Sequence, residues 1–304
     1  MIYVILQGRI GNQLFMYACA RTLQKRQAPG SKIILDDVYN IRDGYANSLI
    51  HYPLPDVEYV HDMSQRTTPR WALPALARRG ANHFENRLNY RERFEWERKC
   101  QGLYNALGLI KVENDYLPLP RHLRRNVMLD GFFQTEEYFR DNREELLELF
   151  SLKERVDASG YPNLAEIMNR NTVCVSIKVQ HNAGNPMYDV CGEAYYRTAI
   201  RMITERVERP LFFICSDNVP YVKEHLIDTS RYDTVEQSTD FPVHLSLAVM
   251  ARSKHFIIGN TSFGWWAQYL CRNPEKIVIA PSRWYGIDVP CEHIYQPNWT
   301  LIQV

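Results

Sequence analysis

Three stretches of this 304-residue chain close an apolar run with polar residues able to do chemistry. "GRIGNQ", residues 8–13, follows "IYVIL"; "CSDN", residues 215–218, closes "LFFI"; "GNTS", residues 259–262, closes "HFII". Gly8, Arg9, Gly11 and Asn12 open the backbone so that a polar ligand can approach, with a tight strand-to-helix turn as the plainer explanation. Asp217 ends a strand, where an acid can accept from a ribose hydroxyl or a base edge; capping the helix "VPYVKEHL" is the alternative. Asn260, Thr261 and Ser262 are helix-capping types. A helix start presents unbonded N–H groups and partial positive charge, which suits a phosphate, and plain capping again competes.

The elements that must hold these residues follow from the apolar pattern. "IYVIL" and "KIILDD" read as strands, separated by a helix with Met16, Cys19, Ala20 and Leu23 on one face. From there to about residue 130 the pattern loosens. Residues 64–99 carry nine Arg/Lys against four Glu, interleaved with Trp71, Phe84, Tyr90, Phe94 and Trp96. This predicts a helical surface with aromatics packed inward, or else an acceptor-binding face or a patch for anionic lipid headgroups. "NVMLDGFFQTEEYF" reads as a buried strand, a glycine turn and the start of a helix reaching about Phe150, and "SLKERVDASGYPNL" as a domain junction.

In the second half, "TVCVSIKV", "LFFICSD", "HFIIGN" and "KIVIAP" are short apolar runs alternating with helical patterns, such as Tyr196, Ala199, Ile200, Ile203 and Val207. Strands buried on both faces and alternating with helices indicate a parallel sheet, whose ligands bind beyond the strands' carboxyl ends. Trp265 and Trp266 are assigned to the core, because adjacent helix positions cannot both face one site.

Composition removes several classes. With 36 basic and 35 acidic residues, the net charge of +1 gives no support to nucleic-acid binding. Seven cysteines without a C-x-x-C pair read as reduced core residues of a cytosolic protein. No transmembrane segment is visible, and "MIYVILQG" is too short for a signal or an anchor. The N-x-S/T matches at Asn260 and Asn298 are therefore not read as glycosylated. Scattered histidines and the absence of D-x-D or H-E-x-x-H disfavour a metal. By elimination, the chemistry is group transfer in which protein cations stabilise leaving phosphates.

"GRIGNQLFMYACARTL", "DGFFQTEEYF", "CGEAYYRTAI", "LFFICSDN", "HLSLAVMARSKHFIIGNTSFGWWAQYL" and "KIVIAPSRWY" resemble, in order and spacing, the α-1,2-fucosyltransferase family, glycosyltransferase family 11 in its bacterial type. The resemblance spans nearly the whole chain. It implies a GT-B-like α/β fold, two Rossmann-like domains facing across a cleft: residues 1–155 on the acceptor side and 156–304 binding the nucleotide sugar. It further implies GDP-fucose as donor, inversion at the anomeric carbon, and no cofactor or metal. Gly8, Arg9, Gly11 and Asn12 would face the cleft, and the donor-binding set would be Ser176, Asp217, Asn260, Thr261, Ser262 and Phe263.

One motif departs from the family. Where H-x-R-R-x-D is normal, this chain has "SIKVQH": Ser176 replaces the His, Lys178 and Val179 the arginines, and His181 the Asp. Lysine keeps a charge but loses the bidentate fork that fits a phosphate. Lys178 is the candidate for stabilising the leaving diphosphate, and His181 for assisting the acceptor hydroxyl, with Asp189 and Glu193 as rivals. The expected function is fucosyl transfer to a galactoside-type hydroxyl of an oligosaccharide or lipid-linked surface glycan, at the cytoplasmic face of a membrane with peripheral contact. A different nucleotide-sugar donor is one alternative; a catalytically silent glycan-binding or scaffold homologue is another.

Overall fold

A computed structural model describes residues 1–66, 71–152, 161, 163–238 and 240–304, with only the backbone described at Arg66, Gln180 and His181. Most of the expected junction, including the 155/156 boundary, lies outside the described residues. The chain divides into two compact units, residues 1–151 with 288–295, and 152–287 with 296–304.

The first unit contains β1 (Ile2–Ile5), α1 (Ile10–Gln27), β2 (Ile33–Asp36), α2 (Val38–Arg42), β3 (Val57–Val60), α3 (Ala72–Glu85), α4 (Tyr90–Ala106), β4 (Leu109–Val112), β5 (Val127–Gly131) and α5 (Arg143–Leu149). Its five strands are all parallel in the order β3-β2-β1-β5-β4. β1 is buried along its length, as a central parallel strand must be. In α1 the expected face, Met16, Cys19, Ala20 and Leu23, is fully buried. The opposite side is buried as well: Phe15 meets Phe139 and Tyr17 meets Phe150 at ring distances of 6.0 and 5.9 Å. That two-sided burial explains the near-continuous apolar run "LFMYACA".

Three expectations need correction in this unit. The loosened region to residue 130 contains β3 and β4, besides α3 and α4, which agree with the helical surface expected over 64–99. The two strands are four residues long, and Lys111 interrupts the apolar run of β4, so the periodic signal is weak. The aromatics of 64–99 do not all pack inward: Trp71 is buried against Tyr3, whereas Phe84 is exposed and lies against Trp96 at 4.2 Å. The segment after Gly131 is not one helix to Phe150. It forms two short 3-10 turns, Glu136–Tyr138 and Arg140–Asn142, before α5 begins.

The second unit contains α6 (Leu164–Asn169), β6 (Thr172–Ile177), α7 (Val179–Asn182), α8 (Glu193–Thr204), β7 (Leu211–Ser216), α9 (Val219–His225), β8 (Asp233–Glu236), α10 (Val243–Met250), β9 (His255–Ile258), α11 (Ser262–Leu270), β10 (Val278–Pro281) and β11 (Thr300–Ile302). Six parallel strands run in the order β11-β10-β9-β6-β7-β8. The four apolar runs of the sequence are its four central strands. Trp265 and Trp266 are fully buried, as expected. Two Rossmann-like α/β units are thus present. Strand order reverses between β1 and β5 in the first and between β6 and β9 in the second, and such switch points are where open α/β sheets hold ligands.

Candidate functional site

The glycine turn sits at the first switch point. Gly8 has φ +71°, and a Cβ there would lie 2.6 Å from Asn12 Nδ2, so glycine lets the turn close onto the first turn of α1. Asn12 Oδ1 accepts from Gln134 Nε2 at 2.8 Å, joining the end of β1 to the segment after β5. Arg9 precedes α1 and is exposed, its guanidinium 5.9 Å from the centre of the Tyr45 ring. Gly11 is buried in the first turn of the helix.

Sequence reasoning passed over Gln13. This fully buried side chain donates to the carbonyls of Gly8 and Ala46, both at 2.8 Å, and accepts from Ser48 N–H at 2.8 Å. It pins the glycine turn to the loop after α2. Its place directly behind "GRIGN" was the available signal, but an amide in a helical apolar run reads as surface until its partners are known.

Charge is buried beside this turn. Asp130, at the end of β5, pairs with Lys111 at 3.0 Å and Arg78 at 3.0 Å, and Gln7 reaches it at 3.4 Å. Lys111 also pairs with Glu85 at 3.3 Å, which accepts from the Tyr104 hydroxyl at 2.9 Å. Burial opposes charge on both central groups. Even so, Lys111 and Arg78 hold the Asp130 carboxyl below its ordinary range, and Asp130 with Glu85 holds the Lys111 ammonium above its own. Neighbouring Glu97 is fully buried, and burial pushes its carboxyl up to about 8, against the Lys111 charge.

A second feature the sequence left unread is His61, just beyond β3. Its Nδ1 lies 2.9 and 2.7 Å from the two carboxylate oxygens of Asp37, which is itself fully buried and accepts from Asn47 Nδ2 at 2.7 Å. The imidazole is half exposed, and Nε2 has no hydrogen-bond partner among the described residues. A buried carboxylate on one ring nitrogen sets the tautomer and orientation of the other, an arrangement suited to accepting a proton.

At the second switch point, small residues bring the elements together. Ser176, on β6, is buried, and a Cβ on Gly264 would lie 3.0 Å from its Oγ. A Cβ on Gly259 would lie 2.7 Å from the Tyr196 hydroxyl, so glycine at 264 lets α11 seat on β6 and glycine at 259 lets the end of β9 approach α8. Of the three capping candidates, only Thr261 caps α11, accepting from Gly264 N–H at 3.1 Å. Asn260 is buried, and its amide donates to the Tyr188 and Trp284 carbonyls at 3.1 and 2.9 Å, tying two loops to the strand end. Ser262 starts the helix and Phe263 follows it. Their N–H groups have no hydrogen-bond partner among the described residues.

Asp217 does not cap α9; Asn218 does, accepting from Tyr221 N–H at 3.1 Å. One oxygen of Asp217 instead accepts from Val179 N–H at 3.0 Å, fixing the turn that follows β6. Lys178 occupies that turn, just past the carboxyl end of β6, whose neighbour in the sheet is β9. His181 lies in the short helix α7, with its side chain outside the described residues. Both rivals for the base are engaged: Asp189 accepts from Gly184 N–H at 2.9 Å, and Glu193 from the Tyr221 hydroxyl at 2.7 Å.

The structure therefore gathers Ser176, Lys178, Asp217 and the 260–263 segment at one switch point, and Gly8, Arg9, Gly11 and Asn12 at the other. Chemically, the first can offer a cation and backbone donors to an anion, and the second a set of amides and charges to a hydroxyl-rich ligand.

Comparison with known proteins adds a second line. The profile of Glycosyl transferase family 11 matches residues 110–303. Over 288 residues the chain is 26% identical to an α-1,2-colitosyltransferase of Escherichia coli, covering 92% of this chain and 91% of that one. It is 24% identical to the O-antigen biosynthesis glycosyltransferase WbnK of Escherichia coli over 304 residues, covering 94% and 95%. Among solved structures, the α-1,6-fucosyltransferase NodZ soaked with GDP-fucose superposes with a TM-score of 0.55 at 15% identity, covering 91% of this chain and 94% of that one. A crystal of NodZ from Bradyrhizobium gives 0.53 at 14%, with the same coverage. At these identities the structural likeness shows a shared fold.

Proposed function

The chain belongs to glycosyltransferase family 11, and on that premise we propose that it transfers fucose from GDP-fucose to a galactoside-type hydroxyl of a surface glycan, with inversion and without a metal. The observation that supports this reading is the second switch point, where Lys178 follows β6 and Ser262 and Phe263 open α11 after β9, the two strands that flank the crevice. A diphosphate gains charge as it leaves, and a cation with fixed backbone donors stabilises that charge more in the transition state than in the ground state. The second unit is accordingly the donor side and the first the acceptor side.

In the step proposed, the acceptor oxygen bonds to C1 as the bond from C1 to the diphosphate oxygen breaks, and GDP leaves with the electron pair. The hydroxyl proton passes to a base. His181 was the sequence candidate; His61, oriented by Asp37, has the better supported geometry. His61→Gln should depress transfer while leaving GDP affinity and donor hydrolysis in place. Equal loss of GDP binding would remove His61 from that role.

A second donor is favoured by two observations: lysine and valine replace the family's paired arginines, and a relative of similar length carries a colitosyltransferase name. Another nucleotide-linked 6-deoxysugar is the corresponding reading. Calorimetry with GDP, UDP and CDP in EDTA, followed by transfer assays with the matching sugars, separates the cases. GDP should bind equally well with EDTA present. Preference for another nucleotide sinks the GDP-sugar reading, and loss of binding in EDTA sinks metal independence.

A further inference from the structure

α3 and α4 form an antiparallel pair packed on β4 and β5, and the outward side of that pair is neither polar nor balanced in charge. Leu76 is 68% exposed, Phe84 41% and Leu103 61%. Phe84 of α3 touches Trp96 of α4. Leu76 lies about two turns back from Phe84 along α3 and Leu103 about two turns on from Trp96 along α4, and these exposed apolar side chains make up the outer seam of the pair. Arg79, Arg87 and Lys99 are exposed around it, and none has a carboxylate partner among the described residues. The acids of these helices are elsewhere: Glu85 and Glu97 are buried, Glu92 completes the capping box of α4, and Glu95 is paired with Arg98.

We propose that this α3–α4 seam docks the protein on an anionic lipid bilayer. Leucine and phenylalanine side chains insert at the boundary between headgroups and acyl chains, and the surrounding cations meet lipid phosphates. A second copy of the chain fits less well. A two-fold contact would bury this cation-bearing seam against an identical one, with no uncommitted carboxylate among the described residues of either side to offset the repulsion of like charges. No described helix is long and apolar enough to cross a membrane, so the contact is peripheral. The inference extends the proposed function by holding the acceptor-side unit near lipid-linked glycans, but its test requires neither donor nor acceptor.

The experiment is flotation of the full chain with vesicles of phosphatidylcholine alone, or of equal parts phosphatidylcholine and phosphatidylglycerol. Wild-type protein should float with the anionic vesicles and scarcely with the neutral ones, and added salt should weaken the binding. Replacing Arg79 and Lys99 together by glutamine should reduce partitioning by about thirtyfold, at ~1 kcal/mol per cation near the surface. Leu76→Ser with Leu103→Ser should also release the protein. Both pairs are surface changes, and unaltered melting would show that the fold survives. Absence of wild-type binding to anionic vesicles overturns the proposal, as does binding that both variants retain. Sedimentation velocity covers the remaining occupant: a dimer abolished by the leucine variants, with no vesicle binding, reassigns the seam to self-association. A chain that transfers no fucose can still pass this test, and one that does can still fail it.

Discussion

At the switch point of the first unit, side chains hydrogen-bond to one another; at that of the second, glycines make room and backbone donors are left open. Gln13, Asn12 and Gln134 lock the first turn in place, with Asp130, Lys111, Arg78 and Glu85 buried alongside. In the second, the Asn260 amide is already used to tie loops and the Thr261 hydroxyl to cap α11. Under the proposed function, the same topology would serve two kinds of ligand. A crossed amide network presents a fixed, hydroxyl-sized pattern, whereas an open helix start with a nearby cation presents charge.

The strongest test of that contrast removes the central cation of the first unit. Lys111→Ala leaves Asp130 and Glu85 as buried carboxylates without their common partner, which should cost about 3–5 kcal/mol. Thermal unfolding should show a large fall in melting temperature, while GDP affinity of the folded protein stays near wild type. Unchanged melting would mean that the network contributes nothing to the first unit.

Lys178→Ala probes the other side. Loss of a charge-assisted contact to the diphosphate, worth ~1.5–3 kcal/mol, should weaken GDP binding by roughly ten- to a hundredfold. Lys178→Arg should preserve most of it, and turnover should fall at least as far as affinity. Wild-type affinity in the alanine variant would break the assignment of charge to the second switch point.

The buried charges also give the first unit a pH dependence. Because the folded Glu97 carboxyl is raised from 4.5 to about 8, the folded state holds an extra proton between those values. Stability from this group therefore falls as pH rises through that window, by up to about 1.4 kcal/mol per pH unit. Glu97→Gln should flatten that slope in denaturant titrations across the window; an identical slope in the variant would show that Glu97 does not titrate there. Asp130 acts in the opposite sense and only at low pH, since its lowered pKa makes stability fall as acid protonates it.

The smallest effect belongs to the cap. Thr261→Ala removes the acceptor for Gly264 N–H and should cost about 1 kcal/mol of stability, with Thr261→Ser restoring it. If the alanine variant melts like wild type but binds GDP weakly, the hydroxyl serves the ligand rather than the helix.

Much of this was legible from residue type and period alone. "TVCVSI", "LFFICS", "HFII" and "VIAP" are apolar throughout because they are central strands covered on both faces, and the polar residues ending them mark the carboxyl edge of the sheet. The short edge strands were not legible: "VEYV", "DTVE" and "TLI" are only partly buried and too brief to show a period. The helical character of α3 and α4 was legible, but their buried charge was not, since Arg78, Glu85 and Glu97 look like surface residues and are in fact turned inward.

By itself, then, the order of apolar runs determined the parallel α/β sheet of the second unit and the carboxyl edge of its strands, because strand burial and helix period are local consequences of side-chain type. Which polar residues at strand ends are held and which remain open was decided only by tertiary structure. Asn260 bonds to the Tyr188 and Trp284 carbonyls and leaves the cap of α11 to Thr261, Asp217 bonds across to Val179, and Asp37 reaches His61, because segments distant in sequence lie side by side. Hydrogen bonds and buried ion pairs depend on distances between such segments, and residue spacing along the chain does not encode those distances.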